Sequence, residues 1–339
     1  MRGSFSLLMR GAALTLLAAA PSCTSGFGFS SLFNAPQLGV SDLAPLAREG
    51  DLEAQLQLAR LYYKGERTKQ DFEKALTWFR AAAEQGSAEG QFNLGVMTER
   101  GEGVEASDSE AVRYYQLAAE QDHAQSQLNL ALAHYEGRGL PVNLTQANHW
   151  MRAAADNGAP DAQFSYATFA LEGIGMTADD AVAASYMLRA AQAGVLEAEA
   201  QIGGLFYLGR GLEQNTAEAV RWFRIAAERG HPDAQTSLGL AYLRGEGLTV
   251  DAVEGAHWLL SAAEAGVPTA QNNLALLYLR GEGVEKSRVE AHKWWSLAAT
   301  FGDSIAAQRR DSVARMLTEE ERIASDQAVQ AWLRERVRR

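Results

Sequence analysis

The chain has 339 residues, 47% of them hydrophobic and 22% charged, with a formal net charge of −11. That is globular composition, and an acidic surface speaks against nucleic acid and anionic lipid, both of which need a basic footprint. The lone cysteine, Cys23, leaves the body of the protein without a disulfide.

The first predicted element is an export signal over residues 1–22. Arg2 and Arg10 supply positive charge, and the apolar core from Gly11 to Ala20 is ten residues long. Such a core is too short to span a bilayer of about 30 Å. Two processing routes stay open. Ala18, Ala19 and Ala20 offer small residues for ordinary cleavage, whereas Ala20-Pro21-Ser22-Cys23 resembles a bacterial lipobox, whose cysteine is lipidated and becomes the new N-terminus. Residues 23–40, rich in Ser and Gly, read as a flexible tether. The expected location is outside the cytoplasm, in the periplasm or held to the bacterial envelope by a lipid on Cys23.

Residues 41–49 are predicted to end a lone N-terminal capping helix. Beyond them Gly50, Gly86, Gly158, Gly194, Gly230, Gly266 and Gly302 lie on one 36-residue grid, with Asp122 at the missing place. Seven units follow without insertion or deletion: 50–85, 86–121, 122–157, 158–193, 194–229, 230–265 and 266–301. A fixed period of this length is the signature of stacked supersecondary units, none of which can bury its apolar face alone.

Each unit predicts two helices. The first starts with Pro160, Pro232 or Pro268 in three units, a position where the missing N–H costs nothing. Its core residue is Leu58, Leu94, Leu130, Tyr166, Ile202, Leu238 or Leu274, each followed by a small residue. A G-x-G turn follows in six units; the first keeps Gly65 but has Arg67 at the second place. The second helix starts on an N-cap residue: Asp71, Ser107, Asn143, Asp179, Asn215, Asp251 or Ser287. Glu110, Gln146, Glu218, Glu254 and Glu290, three residues later, are expected to complete capping boxes. The aromatic positions Trp78, Tyr114, Trp150, Tyr186, Trp222, Trp258 and Trp294 are expected to be core, and Ala-Ala pairs close the helix. After Gly302 the pattern decays into a degenerate first helix, Ala306–Arg315, and a last helix starting at Thr318-x-x-Glu321, so residues 302–339 cap the array.

The consensus G-x-x-x-A-Q-x-x-L-[GA]-x-x-Y-x-x-G-x-G-V, then D-x-x-x-A-x-x-W-x-x-x-A-A-x-x-G, resembles the Sel-one-like repeat family, a relative of the tetratricopeptide repeats, over residues 50–301. The resemblance implies an all-α, right-handed α-solenoid of seven 36-residue helix–turn–helix repeats, with terminal capping helices and first helices lining a concave face. It implies an interaction scaffold that binds a protein or peptide in that groove. Restraint of a sensor kinase or envelope complex from the periplasm is one such role. A cell-wall or β-lactam-directed enzyme is the remote alternative, since members linked to β-lactam binding carry cysteines in each repeat that this chain lacks.

The candidate groove residues are non-core positions of the first helix. Gln57, Asn93, Asn129, Ser165, Gln201, Ser237 and Asn273 form a line that is polar and uncharged in all seven units. Amides offer a donor and an acceptor, which suits the backbone of an extended peptide; the alternative is that they satisfy one another or water. Beside them run Tyr63, Tyr135 and Tyr207, with Leu243 and Leu279 at the matching places. These either anchor a partner or pack between neighbouring repeats. The six histidines fall at different phases of the repeat without metal-like spacing, and neither G-x-S-x-G nor S-x-x-K occurs. No cofactor, metal or catalytic centre is therefore expected, and the chain is expected to be a monomer.

Overall fold

The computed structural model describes residues 38–338; the export signal, Cys23 and nearly all of the tether lie outside the described residues. Among the described residues there are seventeen helices and no strand. A single helix, α1 (Val40–Arg48), precedes seven hairpins: α2 and α3 (Leu52–Lys64, Phe72–Glu84), α4 and α5 (Ala88–Arg100, Asp108–Ala119), α6 and α7 (Ala124–Glu136, Leu144–Asp156), α8 and α9 (Pro160–Glu172, Asp180–Gln192), α10 and α11 (Leu196–Leu208, Thr216–Glu228), α12 and α13 (Pro232–Arg244, Ala252–Glu264), α14 and α15 (Pro268–Arg280, Arg288–Thr300). A terminal hairpin, α16 (Ser304–Ala314) and α17 (Glu319–Arg338), closes the chain. The molecule is thus an all-α solenoid, and it falls into two compact units that divide between Ala190 and Ala191.

The core confirms the periodic leucines and corrects the aromatics. Leu58, Leu94, Leu130, Tyr166, Ile202, Leu238 and Leu274 are all buried. Of the seven consensus aromatics only Trp222 and Trp294 are; the other five are half-buried. The deep position is the residue after each: Phe79, Tyr115, Met151, Met187, Phe223, Leu259 and Trp295. The small residue of the first helix shows why. A Cβ on Gly95 would lie 2.7 Å from the Tyr115 ring, one on Gly203 2.7 Å from Phe223, and one on Gly239 2.9 Å from Leu259. The hairpin closes on this pair, while the preceding aromatic covers the edge of the core.

The helix starts behave as caps, with one correction. All seven predicted N-caps of the second helices accept a backbone N–H two or three residues on. The five expected capping boxes are only half formed. The N-cap N–H is already donated to a first-helix carbonyl nine residues back, as in Ser107 to Thr98 (3.0 Å), Asn143 to His134 (2.8 Å) and Ser287 to Tyr278 (2.9 Å). The acids turn to other partners instead, Glu218 to Arg221 and Glu290 to Lys293. A reciprocal box does form at Thr318 and Glu321 (2.9 and 3.2 Å).

The second glycine of each turn is fixed by the preceding hairpin. A Cβ on Gly139 would stand 2.4 Å from the Asp108 carbonyl oxygen, on Gly175 2.0 Å from that of Leu144, and on Gly283 1.9 Å from that of Ala252. Each turn therefore passes over the first residue of the previous second helix. Arg67 occupies the same left-handed conformation, at φ 60°. It is tolerated because α1 begins only at Val40, one turn late in the register, and presents no helix start there among the described residues.

Candidate binding face

The first helices are held in register by the glutamine of the Ala-Gln pair. Its Nε2 donates to the carbonyl eight residues earlier, at the end of the preceding second helix: Gln55 to Ala47, Gln127 to Ala119, Gln163 to Ala155, Gln235 to Ala227 and Gln271 to Ala263 (3.0–3.3 Å). Its Oε1 in turn accepts from the residue thirty later, Gln85 for Gln55 (2.8 Å), Gln121 for Gln91 (2.7 Å) and Asn157 for Gln127 (2.9 Å). The fifth repeat replaces both amides with an ion pair, Glu199 and Arg229 (2.6 Å). In the seventh, residue 301 is phenylalanine and packs edge-on against Trp332, so Gln271 Oε1 is buried without a partner.

On this frame the polar line comes out half-buried in every repeat. Five of its side chains turn back onto their own helix. Gln57 Nε2 donates to Glu53 Oε1 (2.8 Å), and Asn93, Ser165, Ser237 and Asn273 donate to the carbonyl four residues earlier (2.8–2.9 Å). Asn129 instead approaches the Tyr115 hydroxyl. In Asn93 and Asn273 this leaves the amide oxygen as the group that can accept from outside.

The Tyr/Leu strip packs between helices as well as facing out. Tyr63 receives a hydrogen bond from Arg100 Nη1 (3.3 Å), Tyr135 packs on Phe169 (5.5 Å between ring centres), and Tyr207 donates to Glu246 Oε2 (3.0 Å). In each case the partner belongs to the next repeat. Burial, reinforced by Glu102, raises the Tyr63 pKa; burial and the Glu246 hydrogen bond raise that of Tyr207. Leu243 packs over Gly255, where a Cβ would meet it at 2.7 Å, and Leu279 borders the core of the last repeats.

One residue on this face has no mark in the sequence. Glu99 stands at the matching place of the tyrosine strip, accepts from the Tyr115 hydroxyl (2.8 Å) and pairs with Arg138 of the next turn. Its partner is 39 residues away, the spacing that also relates Tyr207 to Glu246. The middle residue of the G-x-G turn is therefore part of the face at Arg138 and Glu246, a role that only the folded register reveals.

Three of the histidines serve the scaffold. His123 and His231 cap α6 and α12 through a ring nitrogen (3.2 and 3.3 Å). His292 is buried against Ser325, with 2.9 Å between Nδ1 and Oγ. Among the described residues no group of three or more His, Cys, Asp or Glu is placed to hold a metal ion, and no helix is long and apolar enough to cross a membrane.

The family model described as Sel1 repeat matches seven segments: residues 52–87, 88–123, 124–158, 160–195, 196–231, 232–267 and 268–303. A Sel1 repeat protein from Oxalobacter formigenes is 29% identical and aligns over 72% of this chain and 96% of its own, with a TM-score of 0.59. The c5321 protective antigen present in uropathogenic Escherichia coli strains, which displays an SLR fold, is 23% identical over 88% of this chain and 95% of its own, with a TM-score of 0.51. No curated protein matches.

Proposed function

The chain belongs to the Sel1 repeat family, whose members mediate protein–protein interaction, and from that premise we propose that it is an exported scaffold that binds an extended protein segment along its first helices. The observation that carries this reading is the state of the polar line. Asn93 and Asn273 spend Nδ2 on their own helices, which fixes the side chain and keeps the amide oxygen to accept a partner's backbone N–H. Pre-orientation of this kind lowers the entropy lost on binding. The strip beside it contributes ring and methyl surface, because the Tyr207 hydroxyl is committed to Glu246.

The reading is a binding protein, not an enzyme, and it places the chain outside the cytoplasm, with Cys23 as a lipid anchor. The test of binding is replacement of Asn93, Asn129 and Asn273 together by Ala, followed by titration with peptides selected on the wild type from a random displayed library. A loss of at least tenfold in affinity is expected, and unchanged affinity would refute the role of the line. Intact mass of the mature protein, showing a diacylglyceryl cysteine at Cys23 or a cleavage elsewhere, decides the anchor.

A further inference from the structure

Four of the loops that join a second helix to the next first helix share one backbone. The C-cap residue lies at φ −81°, ψ 4° in Gln85, at −77° and 8° in Asn157, at −85° and 4° in Arg229, and at −69° and −10° in Ala265. A glycine of positive φ follows each. Three of these C-cap side chains bridge the same two acceptors, the carbonyl 35 residues back and the side chain 30 residues back. Gln85 Nε2 donates to the Gly50 carbonyl (3.1 Å) and Gln55 Oε1 (2.8 Å), and Asn157 Nδ2 to the Asp122 carbonyl (3.3 Å) and Gln127 Oε1 (2.9 Å). Arg229 Nη1 donates to the Gly194 carbonyl (3.0 Å) and Glu199 Oε1 (2.6 Å). The sixth repeat keeps the acceptors and lacks the donor. Gln235 is turned as its counterparts are, with Nε2 on the Ala227 carbonyl (3.2 Å). Ala265, however, has no polar side chain to reach Gln235 Oε1 or the Gly230 carbonyl. Neither oxygen has a partner among the described residues. Gln235 is only half-buried, whereas Gln271 in the next repeat is fully buried.

We infer that the open place beside Ala265 takes a guanidinium group from outside, the side chain of an arginine on a partner protein. The repeat before supplies the pattern, because Arg229 fills the same place there with its own guanidinium. A guanidinium fork has donors for both oxygens and others to spare for a carboxylate. Carboxylates are at hand. Glu228 and Asp233 stand on either side of Gly230, and Glu264 precedes Ala265. Their side chains form no ion pair or hydrogen bond among the described residues. Burial holds the Asp233 pKa above its ordinary value in spite of His231, so a cation nearby relieves a carboxylate that lacks a counter-charge. Ala265 also walls a cavity of about 350 Å³, with Glu264, Trp332, Glu335 and Arg336, which leaves room for an incoming side chain. Arg336 does not supply the missing donor: its Nη1 bonds the Ala265 carbonyl (3.0 Å), and its guanidinium lies over the rings of Phe301 and Trp332. The site is separate from the polar line, since Gln235 and Ser237 project about 200° apart around α12.

The test titrates the whole, nitrogen-labelled protein with N-acetyl-arginine amide, and with N-acetyl-lysine amide as the control. The arginine derivative should shift the Gln235 side-chain amide and the His231 backbone amide saturably. The lysine derivative should bind roughly tenfold more weakly, the effect of one lost charge-assisted hydrogen bond. Absence of saturable shifts overturns the inference, and so does equal binding of the two derivatives, which would mark a general attraction of cations to an acidic loop. Ala265→Gln installs the missing donor from within. It should unfold at higher urea concentration than wild type and should abolish the shifts; a lower midpoint, or shifts that persist, counts against the site. Peptides selected on the wild type from a random displayed library, and depleted on Ala265→Gln, should be enriched in arginine and should compete with the arginine derivative. A selected pool without that enrichment refutes a protein arginine as the occupant. The triple variant at Asn93, Asn129 and Asn273 should bind the arginine derivative as wild type does, so failure of the polar line and failure of this site are told apart.

Discussion

Glu199 Oε1 accepts a hydrogen bond from Arg229 Nη1 at 2.6 Å, at the place where the first three repeats pair two amides. Glu199 is 4% exposed and its Oε2 has no partner, whereas the Arg229 side chain is 46% exposed and also reaches the Gly194 carbonyl (3.0 Å). The carboxylate has thus been taken out of water for one strong bond and one unmet acceptor. Arg229→Ala should cost about 1–3 kcal/mol, because it leaves a buried acceptor unpaired. The double replacement Glu199→Gln with Arg229→Gln restores the Gln55–Gln85 arrangement and should match or exceed wild-type stability. Urea midpoints for the single and double variants check this, and a double variant less stable than either single would contradict it.

The outcome for Glu199 bears on what the sequence can and cannot reveal. The seven repeats, their hairpins, the caps and the Leu58-type core were all legible, because the same residue recurs at the same phase. The Phe79-type core was not. Its occupants are Phe, Tyr, Met, Met, Phe, Leu and Trp, so no single residue type runs through the array, whereas the aromatic before it is always Trp or Tyr. Volume is conserved across the hairpin rather than identity, and periodicity in letters cannot detect that. Pairs that change together, such as Gln55 with Gln85 against Glu199 with Arg229, are likewise invisible one position at a time. The candidate binding face was half legible. The polar line stands out by its uniformity, but the partners of Glu99, Tyr115 and Arg138, come together only in the folded register.

This difference in depth is directly measurable. Met151 is fully buried, while Trp150 beside it is half-buried. Met151→Ala should cost about 2–5 kcal/mol from lost transfer energy and the cavity left behind. Trp150→Ala, although it removes more atoms, should cost less. Unfolding midpoints in urea rank the two, and a larger loss for Trp150→Ala would restore the consensus aromatic as the main core residue.

The turn glycines make an opposed pair of predictions. Gly283→Ala would bring a Cβ to 1.9 Å from the Ala252 carbonyl oxygen while holding a positive φ. It should cost more than the roughly 1–2 kcal/mol of the left-handed conformation alone, because the turn must also move off α13. Arg67→Gly relieves the same conformation where, among the described residues, no helix start lies opposite, and should stabilise by about 1 kcal/mol. Thermal midpoints moving in opposite directions are the expected result; a loss of stability in Arg67→Gly would mean that its side chain holds the first turn.

The attachment of the C-terminal cap should depend on pH. His292 lies on α15, is 4% exposed and meets Ser325 of α17 at 2.9 Å; Ser325 Oγ donates to the Val289 carbonyl (3.1 Å), so it must accept from His292 Nδ1–H. Burial holds the His292 pKa below its ordinary value of 6.5, with Arg310 and Arg322 acting in the same direction and Asp326 and Asp311 opposing. The unfolded chain therefore takes up a proton that the folded one resists. The stability that neutral His292 contributes is complete above about pH 6.5 and declines as the pH falls from there towards the folded value. Hydrogen exchange of α17 should accelerate over that window before the inner repeats respond, since the last helix packs chiefly on α15. His292→Gln keeps a donor for Ser325 without a titrating group and should flatten the response. An α17 exchange rate that rises with acidification equally in His292→Gln would assign the effect to other groups.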